Sequence, residues 1–318
     1  MCYSAQVEAA YKKLGRRYHA TVDFDEFVNL YLYHLTGSRP LTPRALDLSF
    51  SASDGGAAAV IAKAVQQWDE LESRQLEELV FTQRTRLVNA ERSLQSKVTK
   101  KAQNDVRIAS NKIERALAKL SRLKSDKLLP SDSRIFPGSY APVITGHGQD
   151  RIIRPMRYQC RLAGKPASYD VRFPGTYNAR RDSLERYWSN TFGHNHAILI
   201  VNKFYEHVAR HALEQRELAP DEKEESVILE FTPEPAQEMI IACLWSEWKG
   251  PEGRLLSFAA ITDEPPPEVA AAGHDRCIVQ IKPENVDAWL NPDHRNLAAC
   301  YEILDDRPRP YYEHRLAA

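Results

Sequence analysis

The residues whose types could do covalent chemistry begin at the second position. Cys2 follows the initiator methionine, and a small second residue favours co-translational removal of that methionine. The mature chain then carries an α-amine and a thiol on adjacent carbons, with ordinary pKa values of roughly 7.7–8.0 and 8.5. Such a 1,2-aminothiol condenses with an aldehyde to an imine. Its sulfur then closes a five-membered thiazolidine, a step favoured by effective concentration because it is intramolecular. Three later stretches offer it company. Tyr177-Asn-Ala-Arg180 follows a Pro-Gly turn and sets Asn178 and Arg180 two residues apart, on one side of an extended segment. An amide there can orient a reacting oxygen, and a guanidinium suits a phosphate or carboxylate. Glu206 ends Phe204-Tyr-Glu206 after the apolar run Ala197–Val201, which predicts a strand end or turn where a partly desolvated carboxyl works as acid and base. His274, in Gly273-His-Asp-Arg276, stands at the entrance to a predicted strand over Cys277–Ile281.

Positioning these groups falls to two kinds of element. Residues 57–129 contain neither Gly nor Pro and are dense in Ala, Leu, Glu, Lys, Arg and Gln, the composition of long helix. Val80, Leu87 and Leu94 repeat at heptad spacing, as do Val106, Ile113 and Leu120, with Ala109, Ala116 and Leu123 on the adjoining row. The two stripes fall out of phase across Thr99–Asp105, so a helical hairpin or a broken long helix is expected. From Arg92 to Lys127 there are eleven Lys or Arg against Asp105, Glu114 and Asp126. A solvated face explains such a run, and contact with a DNA backbone is the alternative. Earlier, Ala5–Leu14 and Phe24–Leu35 read as short amphipathic helices, the first stopped by Gly15.

After Pro130 the runs become short, apolar and β-branched: Tyr140–Ile144, Ala197–Val201, Val227–Phe231, Met239–Cys243, Leu256–Ile261 and Cys277–Ile281. Helices do not separate them regularly, which favours an α+β fold with a mainly antiparallel core over a doubly wound sheet. Glu214–Glu225 and Pro265–Pro267 read as loops, Pro283–Leu290 as a short helix and Arg307–Ala318 as a loosely ordered tail.

Composition narrows the classes. The 318 residues carry 43 basic and 43 acidic side chains, with 43% hydrophobic content, as in an ordinary globular chain. No apolar run approaches the roughly 20 residues of a membrane span, and the start lacks a signal-peptide core. A cytoplasmic protein is expected, nucleoid-associated if bacterial. Five single cysteines, Cys2, Cys160, Cys243, Cys277 and Cys300, argue for reduced thiols rather than a disulfide framework. No cofactor and no metal are expected. His194-x-His196 with His207 and His211 is a loose metal alternative with no cysteine to complete it.

The order of these fragments resembles the SOS response-associated peptidase family. The resemblance rests on Cys2 after Met1, on Asn178, Ala179 and Arg180, and on Phe204, Tyr205 and Glu206. Cys243, Leu244 and Trp245 with Trp248, and His274, Asp275 and Arg276, continue it. Ala141–Ile144, Pro155–Tyr158, Phe258–Thr262 and Asp287–Leu290 also fit family segments. The resemblance covers residues 1 to 20 and 130 to 292 and implies one domain of barrel-like α+β fold over 1–318. Its core would come from 1–56 and 130–300, with 57–129 a helical hairpin or coiled-coil insertion and 301–318 a C-terminal tail.

The implied function is an abasic-site sensor in the DNA damage response, crosslinking single-stranded DNA through a thiazolidine on Cys2. Glu206 is then the proton shuttle, His274 positions and protonates the sugar oxygen, and Asn178 holds the Cys2 end or the sugar. Arg180 and Arg276 bind flanking phosphates. The family start Met-Cys-Gly-Arg becomes Met-Cys-Tyr3-Ser4, so a stacking Tyr3 stands where Gly does and the Arg is absent; Arg181 joins the DNA contacts. The insertion is left to bind DNA or a protein partner. Self-cleavage could remove Met1. Two rival readings are a cysteine peptidase built on Cys2, His274 and Asn178, and a non-catalytic coiled-coil interaction protein.

Overall fold

The computed structural model describes residues 3–33, 39–251 and 253–317. Cys2 lies outside the described residues. In chain order the elements begin with β1 (Ser4–Val7), α1 (Tyr11–Tyr18), β2 (Ala20–Val22), α2 (Phe24–Tyr33) and α3 (Arg44–Asp47). The long helices α4 (Gly56–Ser96) and α5 (Lys100–Leu123) follow. Then come β3 (Arg134–Ile135), β4 (Tyr140–His147), β5 (Asp150–Tyr158), α6 (Tyr169–Arg172), β6 (Asn178–Arg180), β7 (His196–Ala209) and α7 (Arg210–Leu213). The chain continues through β8 (Ser226–Glu234), β9 (Met239–Gly250), β10 (Gly253–Asp263), α8 (Pro267–Ala271) and β11 (Cys277–Ile278). It ends in α9 (Val286–Leu290), α10 (Leu297–Asp305) and β12 (Tyr311–Leu316). Two compact units result: Met1–Leu30 with Pro40–Ser49 and Leu129–Ala318, and Tyr31–Arg39 with Phe50–Leu128.

The first unit is α+β, built on one sheet of twelve strands among the described residues. Pairings close a circuit in which β4 joins β5, β5 joins β10, β10 joins β9, β9 joins β7, and β7 returns to β4. Only β2–β5, β5–β10 and β6–β10 are parallel among the described strands. Ala197–Val201 of β7 is buried along its whole length, no residue exceeding 3% exposure, because both faces of that strand are covered. Trp289 of α9, fully buried, covers one side and donates its indole N–H to the Ala197 carbonyl at 3.0 Å. Close approach there explains a glycine: a Cβ on Gly146 would lie 2.5 Å from the Leu290 carbonyl oxygen.

Two expectations are corrected at the chain ends. The helical spacing over Ala5–Leu14 yields to strand pairing, since Ala5 lies opposite both Phe204 of β7 and Ile135 of β3. Gly15 does not stop α1; the helix runs on to Tyr18 and is closed by His19 at φ 49°. Glycine is used there for proximity, a Cβ being 3.0 Å from the Ala20 carbonyl oxygen. At the other end Arg307–Ala318 is not a loose tail. β12 pairs antiparallel with β8 from Tyr311↔Glu234 to Leu316↔Leu229, and Tyr312 is buried against Phe204. Sequence alone gives that edge pairing little signal, because Tyr312 is the one residue of β12 that is buried.

The second unit is a helical hairpin. Thr99 caps α5, accepting from the Ala102 N–H at 3.1 Å, so the break falls at 97–99. The seam runs along the small row Ala102, Ala109 and Ala116 with Leu120, against Val80, Gln83 and Ala90 of α4. Leu87, Leu94, Val106 and Ile113 flank it half-buried. Three alanines at heptad spacing let the helix axes approach closely, whereas larger side chains hold them apart. Arg86–Asp105 and Lys119–Glu72 pair across the hairpin and fix its antiparallel register. The base of α4 buries Ile61, Ala64, Val65 and Trp68, and Tyr31 packs edge-on to Phe50.

Candidate active site

β7 changes partners along its length, and the change sets the site. Its first half, His196–Val201, pairs with β9, and its second half, Phe204–Ala209, with β8. The register to β1 shifts between Gln6 and Val7, an irregularity that lets the strand bend between the halves. Glu206 therefore sits inside a strand rather than at its end, a correction to the sequence reading. Alternation turns Phe204, Glu206 and Val208 inward and His207 outward. Glu206 has 0% exposure, and its Oε2 lies 3.2 Å from Nε2 of His274, itself 7% exposed.

The protons of this pair follow from the other ring nitrogen. His274 Nδ1 is 2.8 Å from the Arg276 carbonyl oxygen, which can only accept, so Nδ1 carries a proton. Nε2 then faces a carboxyl oxygen at 3.2 Å, close enough for the protonation of the two groups to be linked. Either an imidazolium meets a carboxylate, or a neutral imidazole meets a carboxylic acid. Burial pulls His274 below the usual histidine range, and the Arg276 carbonyl opposes that shift. A carboxyl and an imidazole so placed can pass a proton in either direction.

β10 brings the flanking residues to the same neighbourhood of the sheet. β11 pairs with its end at Thr262↔Ile278 and Asp263↔Cys277, which places His274 just before that edge. On the opposite side β6 runs parallel, with Ala260↔Asn178 and Thr262↔Arg180. Asn178 is 6% exposed and Arg180 is exposed, paired with Asp182 at 2.6 Å. Arg276 keeps 15% side-chain exposure beside Asp275. Arg181, the other arginine expected to meet DNA, is half-buried and paired with two carboxylates. Its guanidinium binds Asp263 at 3.1 Å and Asp305 at 2.6 Å, and those carboxylates hold its pKa above the ordinary range. Arg307 binds the same Asp263 at 2.8 Å, so that carboxylate ties β10 to the segment leading into β12.

The start of the described chain reaches this site through β1. Tyr3 N–H donates to the Tyr205 carbonyl at 3.3 Å, one residue from Glu206. Its ring meets Phe136 at 5.7 Å and His207 at 4.6 Å, both edge-on. Arg134, which the sequence reading missed, clamps the segment by donating to Ser4 Oγ at 3.0 Å. The same guanidinium lies 3.7 Å from the Tyr205 ring centroid. No spacing in the sequence marks Arg134, since its role exists only once β3 lies beside β1. The four described cysteines are buried, and burial raises each thiol pKa, Cys160 to about 12 and Cys300 to about 11. Cys277, near Glu206, is raised too, first by burial and then by that charge. Such thiols are poor nucleophiles.

Two alternative readings lose ground on this geometry. Both His274 ring nitrogens have partners other than Asn178, so Asn178 does not orient it as a peptidase triad requires. His196 is unsuited to a metal: its Nε2 accepts from Gly193 N–H at 2.9 Å and its Nδ1 donates to the Trp289 carbonyl at 2.9 Å.

The family described as SOS response associated peptidase (SRAP) matches residues 98–316. The chain belongs to that family. The SRAP match takes in α5 and every strand from β3 to β12, and lies C-terminal to Cys2 and α4. Among solved structures, a Bordetella bronchiseptica protein is 18% identical, covering 61% of this chain and 90% of its own at TM-score 0.47. A Bacteroides thetaiotaomicron protein is 12% identical over 58% of this chain and 78% of its own, at TM-score 0.46. A phage-related protein from Bordetella bronchiseptica is 17% identical over 61% and 85%, at TM-score 0.42. No curated protein matches the sequence. No described helix is long and apolar enough to cross a membrane.

Proposed function

We propose that this SRAP protein captures the ring-opened sugar of an abasic site in single-stranded DNA as a thiazolidine on Cys2. The buried Glu206–His274 pair carries the reading. Tyr3, which follows Cys2 directly in sequence, is hydrogen-bonded to the neighbour of Glu206. A fully buried carboxyl sharing one proton with a buried imidazole is costly as a structural element, and acid–base work accounts for keeping it.

The chemistry balances with one water lost. Once Met1 is removed, the Cys2 amine adds to the sugar aldehyde, and the carbonyl oxygen becomes a hydroxyl. Protonation lets that hydroxyl leave as water, giving the imine. The thiolate then forms the C–S bond to the imine carbon, and the nitrogen takes up a proton. Sugar ring opening also needs one proton removed from the anomeric hydroxyl and one delivered to the ring oxygen. Glu206 and His274, holding one proton between them, supply both directions. Asn178 holds the sugar or the Cys2 end. Arg180 and Arg276 meet the flanking phosphates, Arg180 by exchanging its exposed Asp182 partner at little cost.

Incubation with single-stranded DNA bearing an abasic site should give an adduct stable to heat and detergent, and Cys2→Ser should abolish it. Glu206→Gln keeps the shape and loses the relay, so adduct formation should slow by about 10²-fold or more. Equal adduct from wild type and Cys2→Ser sinks the proposal, and an unchanged Glu206→Gln rate removes the shuttle. Intact mass should find mature chain beginning at Cys2.

A further inference from the structure

The hairpin is electrically lopsided in a chain of zero net charge. Between Arg84 and Arg115, its distal half, nine Lys or Arg stand against Glu91, Asp105 and Glu114. The remainder of the hairpin, Gly56–Gln83 with Ala116–Leu128, holds six of each sign. Pairing sharpens the contrast. Lys119 and Lys124, in the balanced half, are answered by Glu72 and Glu77 across the hairpin. In the distal half Arg86 takes Asp105, and no carboxylate among the described residues pairs with Lys100, Lys101, Arg107, Lys112 or Arg115. All five are exposed. With 3.6 residues per turn Lys100, Arg107 and Arg115 fall on the side of α5 away from the Ala102–Ala109–Ala116 seam, and Lys101 and Lys112 on its flank, over about 22 Å of helix from Lys100 to Arg115. Asn104 and Asn111, also exposed, lie among them.

We infer that this distal half is a second nucleic-acid contact, gripping the phosphate backbone of duplex DNA. A rigid rod of fixed cations, with amides able to donate to phosphate oxygens, suits a backbone whose charges are themselves fixed in space. Single-strand binders add aromatic platforms on which bases stack. Residues 84–115 contain no Phe, Tyr or Trp, so the surface offers phosphate contacts and no stacking. The contact is independent of covalent capture and does not require Cys2.

The test uses the full chain carrying Cys2→Ala, so that no adduct forms, and an undamaged 30-base-pair duplex between 50 and 200 mM salt. Reversal of four cations (Lys100→Glu, Arg107→Glu, Lys112→Glu, Arg115→Glu) should weaken binding at least tenfold at 100 mM salt. It should also flatten the slope of log K against log salt by about 3.6, at roughly 0.9 per phosphate contact. Unchanged helicity by circular dichroism certifies the fold; should the fourfold variant lose helicity, each single reversal is read instead, each expected to flatten the slope by about 0.9. An unaltered slope overturns the inference. A larger loss on a 30-nucleotide oligo(dT) than on the duplex overturns it as well, as does a larger loss on phosphatidylserine vesicles.

Discussion

A carboxyl group with no exposed surface survives only beside a proton or a cation, and Glu206 has His274. His196 states the opposite case at the same scale. It lies between the rings of Phe192 and Trp289, at 5.5 and 3.9 Å, and both nitrogens are spent on backbone groups. Burial lowers its pKa to about 3, so the folded protein holds it neutral. An unfolded chain protonates that histidine below its ordinary pKa of about 6.5, and binds more protons than the folded one until about pH 3. Stability should therefore be full above pH 6.5 and fall as pH drops toward 3, by at most roughly 4–5 kcal/mol from this group. Urea midpoints across pH 3.5–7.5 for wild type and His196→Asn check it, the variant losing part of the acid slope. Their partners separate the histidine that faces a buried carboxyl from the one spent on backbone groups.

Elements impose the constraints that residues obey. β4 and α9 come so close at Gly146 that any side chain meets backbone, and backbone cannot rotate away. Gly146→Ala should cost about 1–3 kcal/mol through overpacking, measured as a lower denaturant midpoint with an unchanged slope. Gly148→Ala meets nothing within 4 Å but takes on a φ of +63°, so it tests conformational strain separately. Helical composition over 57–129 announced α4 and α5 because local propensity and packing agree there. β1 and β12 were hidden for the converse reason. Ala5–Leu14 has helical spacing and its start is overruled by β7 and β3, and Tyr311–Leu316 becomes a strand only by docking on β8.

Across the whole molecule, order concentrates in the closed circuit of strands and in the two long helices. Segments outside them should be where proteases enter. Lys97 lies in the non-helical link 97–99 and is exposed, and the acidic stretch around Arg216 and Lys223 is exposed as well. Brief trypsin treatment of native protein should cut at those two regions first, read by intact mass of the fragments. First cuts within β4, β7 or β9 would contradict the closed circuit.

Sequence by itself determined the chemistry on offer and the class of fold. A cysteine after Met1, a carboxyl, an imidazole and an amide in a recurring order marked the SRAP family, and apolar runs without intervening helices marked an antiparallel α+β core. Tertiary structure alone decided which groups meet. It turned Glu206 inward by one strand's alternation, set His274 against it from a segment 68 residues later, and spent Arg181 on Asp263 and Asp305. The reason is physical: side-chain type and spacing are local properties, while burial and proton sharing depend on contacts between residues far apart in the chain.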